Sequence, residues 1–283
     1  MHRFFVAPEV LAPVIPAFSS PTPSSDSYPV KVGARARVNL APTVVLEDRL
    51  AHQVRDVIHL GVGEQLVLLD NSGDEFLAAI AKSGRKGVEV QVLERRSGKS
   101  ESPVRVVLCQ GLLKSARFEW ILEKGTELGV SVFAPILCRR SMAGLEEAGA
   151  AKIQRWQRII QEAAEQCGRA RLPELLPIRP LLHALNDIPQ GALALMPWEE
   201  ERGKSLRNGL ETWASRREAQ LSLQQPESMT VVLFIGPEGG LMVEEVALAQ
   251  RHGVEAVTLG PRILRAETAA LAAVANVMYA FGG

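Results

Sequence analysis

The residues best suited to chemistry fall in three short loops. Pro197-Trp198-Glu199-Glu200, Gly236-Pro237-Glu238-Gly239-Gly240 and Gly260-Pro261-Arg262-Ile263-Leu264-Arg265 each follow a short apolar run that reads as a strand. Glycine and proline side by side leave backbone N–H and C=O groups bare, so a ligand can come close to the main chain. A helix start just beyond adds further N–H donors. In open α/β sheets ligands bind outside the carboxyl ends of the strands, so three such loops imply one site built largely from backbone. For any single loop taken alone, a tight strand–helix turn is the competing reading.

Motifs that would point to other chemistry fail on spacing. Gly98-Lys99-Ser100 and Gly203-Lys204-Ser205 imitate the end of a phosphate-binding loop, but Leu93 and Trp198 stand where its first glycine belongs. Gly61-Val62-Gly63 starts like a dinucleotide fingerprint, yet Leu66 replaces the third glycine. His2, His52, His59, His183 and His252 are dispersed, and Cys109, Cys138 and Cys167 show no CxxC spacing. Neither a metal site nor a disulfide framework is expected.

The elements that position these loops follow from periodicity. Thr43–Leu46, Gln65–Leu69, Phe76–Ile80 and Val88–Leu93 read as short strands separated by turn signals, which suggests a small antiparallel barrel or sandwich. Residues 12–30 hold five prolines and five serines, a composition too poor in apolar residues to fold, so 12–36 reads as a flexible insert in this first domain (1–97). The polar run Arg95–Ser102 makes a boundary. From 103 to 283 strands and helices alternate: Val104–Leu108, Val132–Ala134, Ala192–Met196, Val231–Ile235 and Ala256–Leu259 as strands, and Ala116–Leu128, Ala150–Cys167, Met242–His252 and Glu267–Phe281 as helices. That rhythm predicts an α/β domain with a parallel sheet covered on both faces.

Composition narrows the partners. Thirty-two Lys+Arg balance 32 Asp+Glu, so no global field draws a polyanion and any nucleic-acid contact must rest on local charge. The window 151–180 supplies a local excess, six basic residues against three acidic. The uncharged stretch Thr268–Gly283 has 16 residues, short of the roughly 20 that span a bilayer. With no signal peptide evident, a soluble cytoplasmic protein without membrane contact is expected.

The loops also carry a resemblance. Phe234-Ile235-Gly236-Pro237-Glu238-Gly239-Gly240, followed by Leu259-Gly260-Pro261-Arg262-Ile263-Leu264-Arg265-Ala266-Glu267-Thr268-Ala269, resembles the signature of the RsmE family, 16S ribosomal RNA (uracil-N3)-methyltransferases of the SPOUT superfamily. Lys124-Gly125-Thr126-Glu127-Leu128-Gly129-Val130 and Glu162-Ala163-Ala164-Glu165-Gln166-Cys167-Gly168-Arg169-Ala170-Arg171 are similar to two further family motifs, and Arg3-Phe4-Phe5-Val6 to its start. Val57-Ile58-His59-Leu60 departs from the family's V-L-R-L at its second and third positions.

The resemblance implies a PUA-like RNA-binding barrel followed by a SPOUT domain with a C-terminal trefoil knot. It also implies a homodimer, S-adenosylmethionine as methyl donor, and a uridine of 16S ribosomal RNA in the small subunit as acceptor. The donor would be cradled by Gly236, Pro237, Glu238, Gly239, Gly240, Leu259, Gly260, Ile263 and Leu264, with Met196, Pro197 and Trp198 as the apolar wall. Uracil N3 carries a proton, so a base or stabilising cations are needed. Glu165 and Glu267 are the carboxylates in question, and Arg169 and Arg265 are cations for the reacting base. Arg3, Arg169, Arg171 and Arg262 are candidates for RNA, while Lys114 and Lys124 stay open between RNA contact and solvated surface. A SPOUT enzyme with another RNA target, or a non-catalytic assembly factor, are the rival readings.

Overall fold

Two separate sets of apolar strands pair into two sheets, and each organises its own compact unit. The computed structural model describes residues 1–18, 42–85, 87–141, 149–221 and 229–282, the side chains of 216–221 excepted. Met1–Ser100 with Gly168–Arg171 form the first unit, and Glu101–Cys167 with Leu172–Gly283 the second.

The first unit contains β1 (His2–Phe5), α1 (Pro8–Leu11), a 3₁₀ turn at Ile15–Phe18, β2 (Thr43–Leu46), α2 (Asp48–His52) running into a π-turn at Gln53–Val57, β3 (Gln65–Leu69), β4 (Asp74–Gly84) and β5 (Gly87–Ser97). The sheet order is β1-β3-β4-β5-β2, antiparallel except for the parallel pair β1/β3. Strict alternation decides the faces. Leu66 and Leu68 join Phe4, Phe76, Val88 and Val90 in one core, while Val67 and Leu69 pack with Ala170 on the other side.

Two expectations are corrected here. Residues 12–18 are not part of a loose insert: Leu11 and Val14 are buried in the sheet's core, so these apolar side chains outweigh the prolines around them. The remainder of the expected insert lies outside the described residues. The boundary itself falls between Ser100 and Glu101, inside the expected run Arg95–Ser102. β5 continues through Ser97 because Arg95 pairs with Asp74 and Arg96 with Glu75 across β4. The second domain, expected as unbroken from 103, gives up Gly168–Arg171 to the first unit.

The second unit runs β6 (Val104–Gly111), α3 (Ser115–Glu127), β7 (Val130–Leu137), α4 (Ala150–Cys167), β8 (Glu174–Leu175), β9 (Arg179–Pro180), α5 (Leu181–Asn186), β10 (Leu193–Pro197), α6 (Leu206–Leu221), β11 (Met229–Ile235), α7 (Val243–Arg251), β12 (Glu255–Val257) and α8 (Ala266–Phe281). Its sheet is parallel throughout, in the order β12-β10-β11-β6-β7-β8 with β9 also on β7. One face buries Val106, Leu108, Val231 and Leu233 against Phe118, Trp156, Val274 and Val277 of α3, α4 and α8. The other buries Cys109, Val232 and Phe234 against Leu185, Val246 and Ala249 of α5 and α7. Both faces covered is the condition under which parallel strands become near-continuously apolar. Among the described residues no helix is long and apolar enough to cross a membrane.

Glu75 makes the first unit pH-sensitive. It is 5% exposed and accepts hydrogen bonds from Arg3 Nη1 and Arg96 Nε, both at 2.8 Å. Burial works to raise its pKa, but the two arginines outweigh burial and hold the carboxyl below the usual carboxylate range. A depressed folded value means that the stabilisation is complete above the unfolded value of about 4.3 and is lost as pH falls through the folded one. Glu75→Gln is expected to lower hydrogen-exchange protection in β4 and β5 by about 1–3 kcal/mol at pH 7. The gap from the parent protein should narrow as the pH is taken below the unfolded value of about 4.3 and through the lower folded one.

Candidate functional site

Strands β12, β10 and β11 are neighbours in that order, so the loops leaving their carboxyl ends stand side by side. Backbone bonds tie them together: Trp198 N–H donates to Val257 O at 3.0 Å, and Thr258 N–H to Lys204 O at 2.8 Å. Between the loops lies a cleft of about 360 Å³, within the range of roughly 300–1,000 Å³ that takes drug-sized ligands. Of the residues expected to cradle a ligand, the whole run Gly236–Gly240, Leu259, Gly260, Ile263, Leu264, Pro197 and Trp198 lines it.

Met196 does not line the cleft. It is 1% exposed and packs with Val232, Phe234 and Ala256, because strand alternation turns it to the α7 side of the sheet. The acidic and basic candidates also divide. Glu267, Arg262 and Arg265 line the cleft. Glu165 does not, and its Oε1 accepts from Gln161 Nε2 at 2.9 Å one helical turn earlier. Lys114 caps the start of α3 and is exposed outside the cleft. Arg3 is engaged by Glu75. α4 ends at Cys167 and the chain then bends rather than extends; Arg169 is 6% exposed, whereas Arg171 is exposed with its guanidinium against Gly73. The pair therefore does not offer two charges on one side, and a side chain as buried as Arg169 is unsuited to gripping phosphate.

Sequence reasoning missed Arg117, which lines the cleft from α3. Its Nη1 donates to Glu238 Oε1 at 3.2 Å, and its Nε lies 3.6 Å from Glu267 Oε1. A signal existed, since α3 follows β6, which pairs with β11, and the rule that selects strand ends applies to β6 as well. Glu199 and Arg202 also line the cleft, and Arg140 Nη1 holds Gly239 O at 3.0 Å.

Two polar atoms of the lining, Trp198 Nε1 and Glu267 Oε2, are buried with no hydrogen-bond partner among the described residues. Orphaned buried groups are costly and mark places where something else completes the bonding. Thiol chemistry is excluded at neutral pH for the two buried cysteines: burial pushes the Cys109 thiol up to about 12 and raises Cys138 further. Among the described residues no cluster of His, Cys, Asp or Glu could hold a metal ion.

The close fit of the central loop has a different cause from the one its glycines first suggest. A Cβ at Gly239 would meet Arg140 Cβ at 3.0 Å, and one at Gly240, where φ is +74°, would meet Glu199 Oε1 at 2.5 Å. These glycines pack loop on loop rather than merely leaving room for a ligand.

A backbone-lined cleft at the carboxyl edge of a doubly covered parallel sheet defines an α/β ligand-binding enzyme fold. A family model for an RNA methyltransferase domain matches residues 100–278. The chain is 31% identical to the ribosomal RNA small subunit methyltransferase E of Bacillus subtilis, over 87% of this chain and 93% of that one. It is 32% identical to the protein of the same name from Synechocystis, over 95% and 87%. The crystal structure of such an enzyme from Neisseria gonorrhoeae, bound to S-adenosyl methionine, superposes with a TM-score of 0.75 at 27% identity, covering 100% of this chain and 98% of the other. The chain belongs to the ribosomal RNA small subunit methyltransferase E family.

Gly111 sits where β6 meets the Gly236–Gly240 loop, and a Cβ there would lie 2.6 Å from Pro237 N. Since backbone opposes it, Gly111→Ala is expected to push the loop aside and cost about 1–3 kcal/mol. Thermal denaturation should show the loss, and a crystal structure of the variant should show Pro237 displaced.

Proposed function

We propose that the protein transfers a methyl group from S-adenosylmethionine to N3 of a uridine in 16S ribosomal RNA of the small subunit. The observation that carries the reading is the cleft itself: three neighbouring loops, a backbone-rich lining and two orphaned buried polar atoms, in a chain of this family. The residues fit the donor. Bare backbone at Gly236, Gly239, Leu259 and Gly260 suits hydrogen bonding to a nucleoside, and Pro197, Trp198, Ile263 and Leu264 offer apolar contact. Bound there, the donor supplies a sulfonium methyl group.

The chain's own residues do the rest. Positioning the acceptor in line supplies much of the acceleration in such reactions, up to about 7–11 kcal/mol. Glu267 is the carboxylate of the original pair that lines the cleft, and it receives the N3 proton. Arg265 and Arg262 stand at the rim, and Arg262, Lys114 and Arg171 are exposed and suited to RNA phosphates. The target uridine must leave its stack before N3 can be reached.

The finer architecture follows the same reading. The first unit acts as a PUA-like RNA-binding barrel. The last segment forms a trefoil knot, supported by α8 returning from edge strand β12 to pack in the core beside β6 and β11. The enzyme is a cytoplasmic homodimer, supported by Tyr279 of α8, 93% exposed, and Ile263, 81% exposed. Light scattering at micromolar concentration should report twice the chain mass, and a monomer would remove the dimer from this account.

The deciding experiment incubates the purified protein with S-adenosylmethionine and unmodified small-subunit particles and maps the methylated nucleotide by mass spectrometry. N3-methyluridine in 16S ribosomal RNA is expected. Gly240→Val should lose donor binding by calorimetry while remaining folded. Arg262→Ala should keep donor affinity but weaken RNA binding and reduce its salt slope by about one counterion.

A further inference from the structure

The cleft contains a cation that is held by ion pairs of the chain itself. Arg117 is anchored by carboxylates from two different walls, Glu238 in the loop after β11 and Glu267 in the first turn of α8. Its side chain is nonetheless 41% exposed. A guanidinium presents five N–H donors in a rigid planar fork. The contacts to Glu238 and Glu267 use Nη1 and Nε, and among the described residues the Nη2 edge has no partner. Arg202, Arg262 and Arg265 share the cleft but form no ion pair among the described residues.

We propose that Arg117 holds a carbonyl oxygen of the target uracil through its Nη2 edge and stabilises the negative charge that this oxygen gains as N3 is deprotonated. The inference rests on the reading of the chain as a uridine N3-methyltransferase. The N3–H bond breaks and its proton passes to the Glu267 carboxylate. The electron pair left on N3, shared with the neighbouring carbonyl oxygens, forms the new N3–CH3 bond. The S–CH3 bond breaks with its pair staying on sulfur, so the positive charge of the sulfonium is discharged. Negative charge on the base is greatest just before the methyl group moves, and a cation already in position stabilises it without reorganising. Lysine would keep the charge but not the fork that can hold Glu238, Glu267 and a base oxygen together.

The test uses the full chain as Arg117→Met and Arg117→Lys, with single-turnover methylation of small-subunit particles whose RNA carries either uracil or 5-fluorouracil. The ring fluorine makes N3–H more acidic. Arg117→Met is expected to slow transfer about 10- to 100-fold on uracil and to move the rising limb of the pH–rate profile upward. It should lose less on the fluorinated acceptor, with donor affinity by calorimetry unchanged, and Arg117→Lys should fall between it and the parent. An equal loss on both acceptors with an unmoved pH limb would mean that Arg117 only braces the walls, and would overturn the proposal. A fall in donor affinity of about tenfold or more would place the guanidinium on the donor and overturn it equally. Should Arg117→Met fail to fold, the pH limb and acceptor dependence of Arg117→Lys decide the matter by the same criteria. A parent protein that makes no N3-methyluridine would instead sink the functional reading on which the proposal stands.

Discussion

The pairing of β11 with β6 is the constraint from which the site is built. Seven consecutive rungs run from Met229 opposite Val104 to Ile235 opposite Gln110, with no irregularity between them. Just past the last rung the two chains touch at Gly111 and Pro237, and Gln110 Nε2 reaches both Gly111 O, at 2.9 Å, and Gly236 O, at 3.4 Å. The glycine-rich loop therefore leaves the sheet from a fixed point. β10 on the other side of β11, and β12 beyond it, set the two companion loops by the same parallel register. A close-packed interior transmits such positions with little slack, so the cleft inherits the rigidity of the sheet although much of its lining comes from loops.

Charge is organised on the same local scale. The chain is neutral overall, yet the cleft gathers Arg117, Arg202, Arg262 and Arg265 with Glu199, Glu238 and Glu267. Among the described residues Arg117 is the one of the four with ion-pair partners, and those partners come from the loop after β11 and the first turn of α8. Partly exposed ion pairs contribute little stability on their own. What they provide here is a fixed direction for a guanidinium inside a concave, partly desolvated space, where a fixed charge acts more strongly than in bulk water. Glu245 shows the structural version of the same device: it is buried, and its two oxygens accept from Arg139 N and Met242 N, pinning the start of α7 to the end of β7.

Much of both units was legible because the signals are local. Ala150–Cys167 and Thr43–Leu46 coincide with their observed limits, and the strands named from apolar runs all exist, several of them longer than expected. The loops were legible because glycine beside proline has few uses other than a turn or a close approach. What escaped depends on which way a side chain faces or on what it meets far along the chain. Met196 adjoins Pro197 in sequence but faces the opposite layer. Arg117 acquires its role from Glu238 and Glu267, more than a hundred residues away. Val14 sits among prolines and serines, and nothing in that composition reveals that Leu11 and Val14 complete a core made by strands that come later.

The basic window at 151–180 shows why local charge excess is a weak guide to a nucleic-acid surface. Six positive residues against three negative suggested a patch. In the folded unit Arg155 forms a two-pronged pair with Glu119, at 2.7 and 2.8 Å, and Arg179 pairs with Asp187. Lys152 lies 5.2 Å above the Trp156 ring, and Arg169 is buried. At least four of the six positive charges are thus committed to contacts with other residues or to burial, and Glu119 and Asp187 come from outside the window. A polyanion responds to the field that remains after such neutralisation. Among the described residues Arg202, Arg262 and Arg265 line the cleft without an ion-pair partner, so positive charge remains beside the three loops.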